Sequence, residues 1–201
     1  MPKFRFVRSF SSPLDATVLE QLEKKFDCVV VEAYAMTEAA HQVCSNPVGS
    51  QRKVGMVGEP TGVDVAILSE EGSAMKDGEV GEVCIKGKNV MSGYLDNDDA
   101  NQKGFTDGWF RSGDLGKFED GFLSYTGRIK EMINNGGEKI DPVEIDAVVN
   151  KHDCVAEAVT MGIPDEVYGE EVALAVVIDT GKTITEKELK AGKGKRLTHA
   201  K

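Results

Sequence analysis

The stretch Asp107–Ile140, DGWFRSGDLGKFEDGFLSYTGRIKEMINNGGEKI, sets Asp114, Arg128 and Lys130 among the glycines Gly113, Gly121, Gly127, Gly136 and Gly137. Glycine recurring between short apolar runs marks tight reversals that join brief strands, because it enters the left-handed backbone region without steric cost. Reversals are also where a rigid scaffold aims polar side chains outward. The stretch therefore reads either as a polar site carried on loops or as an ordinary run of hairpins. Asp120-Gly121, flanked by GKFE and FLSY, is a strong type I′ hairpin signal. A second hairpin is expected through Asn134 to Gly137.

Upstream, the chain from Val54 reads as short strands separated by turns. GVDVAILS alternates over Val63, Val65 and Ile67, and GEVGEVCIKG gives another strand over Val83 and Ile85. A short helix is expected over Asp98–Lys103, ended by Gly104. These strands predict an antiparallel β subdomain or barrel. Nearer the N-terminus, a strand over Phe4–Arg8 is followed by Ser12-Pro13, a cap with proline at the first helical position. Leu14, Val18 and Leu22 recur at helical spacing, so a helix is expected from Pro13 to Phe26. Cys28–Val31 is nearly all apolar, as in strands buried on both faces. Strand, helix, strand at this spacing predicts one βαβ unit.

The expected loop after that unit is YAMTEAAHQVCSNP. In open parallel sheets ligands collect beyond the carboxyl ends of strands, which makes Tyr34, Thr37, Glu38 and His41 site candidates. The other reading is a polar loop feeding a helix, with Thr37 as its cap.

Downstream, Asp141-Pro142 with Glu144 opens a helix carrying Ile145, Val148 and Val149. Cys154–Met161 and Glu171–Ile178 are expected strands separated by the loop GIPDEVYGE. Thr185 with Glu188 is a capping box for a last helix, which Gly192 and Gly194 break. The fold class is α/β: a βαβ unit plus an antiparallel β subdomain over 1–129, then a small α+β part over 130–201. The boundary is expected near Lys130.

The chain has 201 residues, is 40% hydrophobic and carries a formal net charge of -10. That acidity argues against nucleic acid or an anionic membrane surface as partner, since both want clustered Lys and Arg. No apolar run approaches the roughly 18 residues a spanning helix needs. Cys28, Cys44, Cys84 and Cys154 form no CxxC pair and His41, His152 and His199 no cluster with them, so reduced thiols, an intracellular protein and no structural zinc are expected. Small molecules are the expected partners.

Four segments, YAMTE at 34–38, GWFRSGDLG at 108–116, GRIKEMINNGGEKIDPVEID at 127–146 and GIPDEVYGEE at 162–171, together resemble the acyl-adenylate-forming superfamily. This group includes AMP-forming acyl-CoA synthetases, firefly luciferase and peptide-synthetase adenylation domains. The resemblance implies that 1–129 is the C-terminal portion of a large AMP-binding domain and 130–201 an incomplete small hinge domain. It implies two half-reactions: a carboxylate attacks the α-phosphate of Mg-ATP to give an acyl-adenylate, and coenzyme A then displaces AMP. The implied cofactors are ATP/AMP, Mg2+ and coenzyme A.

By the family pattern Glu38 would hold Mg2+, the Thr37 hydroxyl would touch phosphate and Tyr34 would stack on adenine, with backbone around Ser11–Pro13 lining the base. Asp114 would accept hydrogen bonds from the ribose hydroxyls and Arg128 would bridge ribose and phosphate; the other reading is a turn aspartate and a surface charge. Lys130 matches the hinge between the two reaction states. Gly136 and Gly137 resemble a turn along the pantetheine tunnel, and read equally as a plain hairpin turn. Lys139 receives no role.

Within the superfamily, AYAMTEAAH at 33–41, GEVCIKGKNV at 81–90 and GGEKIDPVEIDAV at 136–148 are similar to the oxalyl-CoA synthetase group, also described as peroxisomal CoA synthetases. A small dianion needs a donor to its second carboxylate, and His41 can supply one; local packing is the other reading of that imidazole. A medium- or long-chain fatty acid or a 4-coumarate-like acid is the competing substrate, and a nucleotide-binding fragment without catalysis the competing function. The family's Ser/Thr/Gly-rich loop ending in Pro-Lys-Gly does not occur before Tyr34, and after Leu189 the chain departs from the pattern that carries its C-terminal lysine. A truncated chain with little adenylation activity of its own is therefore expected. The terminus reads His-Ala-Lys, which is no peroxisomal tripeptide, so the expected location is cytosolic or peroxisomal with no signal in these residues.

Overall fold

The computed structural model describes residues 3–12, 14 and 16–191. Pro13, Asp15 and the basic tail after Ala191 lie outside the described residues. The chain divides into two compact units, Met1–Tyr125 and Thr126–Lys201.

In the first unit β1 (Val7–Ser9) and β2 (Val30–Met36) run parallel, with Val7 opposite Val30, and α1 (Ala16–Phe26) crosses between them. The expected βαβ unit is present. Leu19 is the buried residue of α1, and Lys24 and Lys25 occupy the last turn, where the helix dipole favours them. The first strand begins later than Phe4. The second extends past Val31 because it gains a partner on its other edge: β3 (His41–Ser45) returns antiparallel to it. The segment expected as a loop from Tyr34 is thus a hairpin. Thr37–Ala39 form one 3-10 turn, and Ala40 and His41, at φ 50° and 92°, reverse the chain. Fully buried Val43 and Cys44 are what that pairing covers. β4 (Glu59–Pro60) completes the sheet in the order β1-β2-β3-β4. Before it, Gly58 passes so close to the Ser45 carbonyl that an added Cβ would lie 1.9 Å from a backbone atom, and its φ is 96°.

The second sheet is antiparallel. It comprises β5 (Asp64–Leu68), β6 (Gly81–Lys86), β7 (Phe105–Thr106), β8 (Trp109–Glu119) and β9 (Phe122–Arg128), ordered β5-β6-β8-β7 with β9 on β8. Asp120 and Gly121, at φ 50° and 79°, make the expected primed turn between β8 and β9. The short helix α2 (Asp98–Gly104) follows an Asn97 side-chain cap. Both sheets feed one core that includes Tyr34, Val43, Cys44, Val83, Ile85, Phe110 and Leu123. Burial pushes the Cys44 and Cys84 thiols up to about 12, so both persist as neutral core groups.

The second unit opens with the hairpin β10 (Ile133–Asn135) and β11 (Glu138–Ile140), turned by Gly136 and Gly137 at φ 62° and 94°. Asp141 caps α3 (Pro142–Val149) by accepting from Val143 N–H at 2.9 Å, with Pro142 at the first position. β12 (Val155–Asp165) and β13 (Gly169–Ile178) then form a long hairpin. It takes in most of the expected loop, because the main chain keeps pairing from Met161–Ala173 out to Asp165–Gly169. The sheet order is β11-β10-β13-β12. α4 (Glu186–Ala191) carries the capping box: Thr185 N–H donates to Glu188 at 2.9 Å and Glu188 N–H to Thr185 at 3.3 Å. Val149, Val155 and Ala158 form a small core with Ile145, Val176 and Leu189. Among the described residues no helix is long and apolar enough to cross a membrane, which says nothing of β-barrel spans.

Candidate active site

Asp114 is 4% exposed and accepts the Tyr34 hydroxyl at 2.6 Å across 80 residues of sequence. Burial, and then the Asp114 carboxylate, push the Tyr34 phenol well above its ordinary range, so it acts as a hydrogen-bond donor. The Tyr125 ring lies 6.5 Å from that of Tyr34 at an interplanar angle of 33°.

Asp114 is carried by a break in the β6–β8 ladder. Glu82 pairs with Leu115 and Cys84 with Arg111, so Ser112, Gly113 and Asp114 face Val83 alone. The Ser112 hydroxyl donates to the Val83 carbonyl at 2.6 Å and accepts from Asp114 N–H at 3.0 Å. Gly113 N–H donates to Glu82 Oε1 at 2.8 Å, and Glu82 Oε2 is paired with the Arg111 guanidinium at 2.6 Å.

Thr37, Glu38 and His41 share the turn that ends β2. No side chain caps it, so the reading of Thr37 as a helix cap is corrected; the residue is exposed. Glu38 is half-buried, and its Oε1 accepts the Tyr94 hydroxyl at 3.0 Å. Part burial, followed by that carboxylate, raises the Tyr94 phenol. The segment before Tyr94 supports the same turn: Met91 N–H donates to the Glu38 carbonyl at 2.8 Å and the Asn89 amide to the Ala39 carbonyl at 2.7 Å. His41 is exposed and stands edge-on to the Phe10 ring, 4.7 Å between centroids.

In the second unit, Arg128 is exposed at the end of β9 and Lys130 is exposed in the 3-10 turn Ile129–Glu131. Gly136 is covered by Tyr168, whose ring would lie 3.1 Å from a Cβ there, whereas nothing lies within 4 Å of one at Gly137. Gly136 N–H donates to the Tyr168 carbonyl at 2.8 Å and Gly137 N–H to Asn134 Oδ1 at 3.0 Å. Asp141 Oδ1 would sit 3.1 Å from a Cβ on Gly127, which has φ 148°.

The first unit therefore joins Tyr34 to Asp114 directly and gathers Thr37, Glu38 and His41 on one turn. Arg128, Lys130, Gly136 and Gly137 belong to the second unit. Sequence reading missed Tyr94, Tyr125, Glu82 and Arg111. Each acts on a partner in another element, and no local motif marks such a pairing.

The AMP-binding enzyme family matches residues 1–95, and the AMP-binding enzyme C-terminal domain matches 144–201. The chain is 50% identical over 193 residues to an oxalate–CoA ligase of Arabidopsis thaliana, an alignment covering 94% of this chain and 38% of that protein. It is 49% identical over 193 residues to an oxalate–CoA ligase of Saccharomyces cerevisiae, covering 94% and 35% respectively. ATP-bound MatB from Rhodopseudomonas palustris superposes with a TM-score of 0.88 at 33% identity, over 96% of this chain and 40% of MatB. The chain thus spans between a third and two fifths of the length of the curated relatives it matches. With both matches in order along its length and the fold shared with MatB, this chain belongs to the AMP-binding enzyme family.

Proposed function

We propose that this chain is part of an AMP-forming acyl-CoA synthetase that adenylates a small carboxylate, oxalate, and passes it to coenzyme A. The carrying observation is the buried Asp114 carboxylate, held by Tyr34 and served by a dedicated break in its strand. A fixed carboxylate can accept two vicinal hydroxyls at once, which is what a ribose offers. Arg128 bridges ribose and phosphate, and Tyr34 lies against the adenine. Residues 1–129 form the end of the large AMP-binding domain and 130–201 part of the small one. Lys130 is their hinge, and its exposure suits a backbone rotation made in water. The open face at Gly137 supports passage of the pantetheine arm beside the Gly136–Gly137 turn.

Mg2+ fits the donor set. Among the described residues there is no group of three metal-binding side chains, and Mg2+ usually takes one or two carboxylates with the rest of its shell from phosphate and water. Glu38 would be that carboxylate, with the Thr37 hydroxyl on phosphate. When bound, the ion spreads the charge that develops as two anions approach.

The choice of oxalate rests on the two oxalate–CoA ligase relatives and on His41, an exposed imidazole on the Glu38 turn that can donate to a second carboxylate. The test is His41→Ala in a chimera joining this chain to the N-terminal part of the Arabidopsis relative. Its kcat/KM for oxalate should fall at least about tenfold more than for a monocarboxylate, the scale of one charge-assisted hydrogen bond. Equal losses on both acids would remove the assignment, and a parent chimera preferring fatty or 4-coumarate-like acids would replace it.

A further inference from the structure

We infer that Glu82 is a positioning residue for Asp114, fixing the backbone turn that aims the Asp114 carboxylate at its site. The inference rests on the nucleotide-holding role proposed for Asp114.

Three residues of β8 oppose one of β6 at Val83, so the regular ladder cannot satisfy the backbone groups there. Ser112 repairs one side of the break by donating to the Val83 carbonyl and accepting from Asp114 N–H. The other side depends on Glu82, whose Oε1 takes Gly113 N–H. Gly113 has φ 75°, and an added Cβ would meet nothing within 4 Å, so its backbone angle, not space, requires glycine. A glycine at such a point has no side chain to hold it. Its amide is the handle, and Glu82 grips that handle.

Glu82 is itself held. It is 6% exposed, and Arg111 approaches Oε2 with two nitrogens at 2.6 Å. Arg111 also donates to the carbonyls of Glu70 and Ser69 at 3.1 and 3.3 Å, so the pair ties β8 to the turn after β5. A buried ion pair is a costly way to add stability, since apolar residues of like volume often serve as well. Its value here is a fixed direction: Gly113 is the residue before Asp114, and a shift of its amide moves the carboxylate relative to Tyr34.

The experiment uses the 201-residue chain with Glu82→Gln and, as a milder variant, Arg111→Lys. Calorimetry measures AMP against 2′,3′-dideoxy-AMP, and NMR reads Gly113 amide exchange and the Asp114 Cγ shift. Gln has one acceptor oxygen, which cannot serve both Arg111 and Gly113 N–H, so the expected result for Glu82→Gln is an about tenfold weaker Kd for AMP, an almost unchanged Kd for the dideoxy nucleotide, and faster exchange at Gly113 with a moved Asp114 Cγ. Arg111→Lys should move each readout the same way by less. Equal losses for both nucleotides, or an unmoved Asp114 Cγ, overturn the inference. If the parent chain binds both nucleotides alike, the ribose role of Asp114 fails. The Asp114 Cγ shift then decides the positioning claim alone, a moved signal upholding it and an unmoved one overturning it. Should Glu82→Gln fail to fold, Arg111→Lys carries the same comparison.

Discussion

Glu32 is nearly buried in the middle of β2, where its Oε2 accepts from Gly55 N–H at 2.9 Å. Arg52 lies near but is already paired with Glu23 at 2.7 Å. Burial therefore outweighs the Gly55 amide and raises the Glu32 carboxyl above its ordinary 4.5. The folded state then binds more protons than the unfolded one between 4.5 and the raised value, so stability falls as pH rises through that window. Glu32→Gln keeps an oxygen for Gly55 N–H and removes the ionisation. It should leave the first unit at least as stable at neutral pH and flatten that pH dependence. Trp109, the single tryptophan, lies in β8 of this unit, so its fluorescence during urea unfolding reports this unit alone. A variant less stable at neutral pH, with the original slope intact, would contradict the account.

At the scale of an element, α3 shows how a cap and its surroundings compete. Amide donors and the helix dipole ordinarily hold a capping aspartate low. At Asp141 burial comes first, Glu144, Asp146 and Glu131 add to it, and the carboxyl is raised. Stability from this group thus declines as pH climbs from 3.8 through the folded value. Asparagine caps without charge. Asp141→Asn should leave amide exchange across Pro142–Val149 as slow as in the parent at neutral pH, whereas Asp141→Ala should cost about 1 kcal/mol of local protection. Faster exchange in Asp141→Asn would mean that the charge, not the cap, supports α3. Asp141-Pro142, Asp120-Gly121, Gly136-Gly137 and Thr185 with Glu188 were legible because their chemistry is complete within a few residues. The hairpin of β2 and β3 was not, since Gln42 and His41 look like loop residues until Val43 and Cys44 have a strand to pack beside. The site divides the same way: the motifs that carry Glu38 and Asp114 were readable, but Tyr94 on Glu38 and Glu82 on Gly113 exist only after the fold brings distant segments together.

For the molecule as a whole, the first unit has Asp114, the proposed ribose holder, and the Thr37–Glu38 turn, and the second has Arg128 and the Gly136–Gly137 turn. These 201 residues contain no Ser/Thr/Gly-rich loop ending in Pro-Lys-Gly ahead of Tyr34. Such a loop cradles the β- and γ-phosphates through backbone N–H groups, and phosphoryl chemistry depends on that positioning more than on ground-state binding of the base and sugar. Nucleotide affinity and catalysis should therefore separate in this chain. AMP should bind weakly by calorimetry, and Asp114→Asn should weaken it further by about tenfold, the scale of hydrogen bonds to a charged acceptor. ATP–pyrophosphate exchange by the chain alone should stay at background. Joining the N-terminal part of the Arabidopsis relative should raise exchange while leaving the effect of Asp114→Asn on AMP binding intact. Exchange by the 201 residues unaided would show that phosphate is held by groups other than the missing loop. An Asp114→Asn chain that binds AMP as the parent does would instead move the nucleotide away from β8, and with it the reason for the break in that strand.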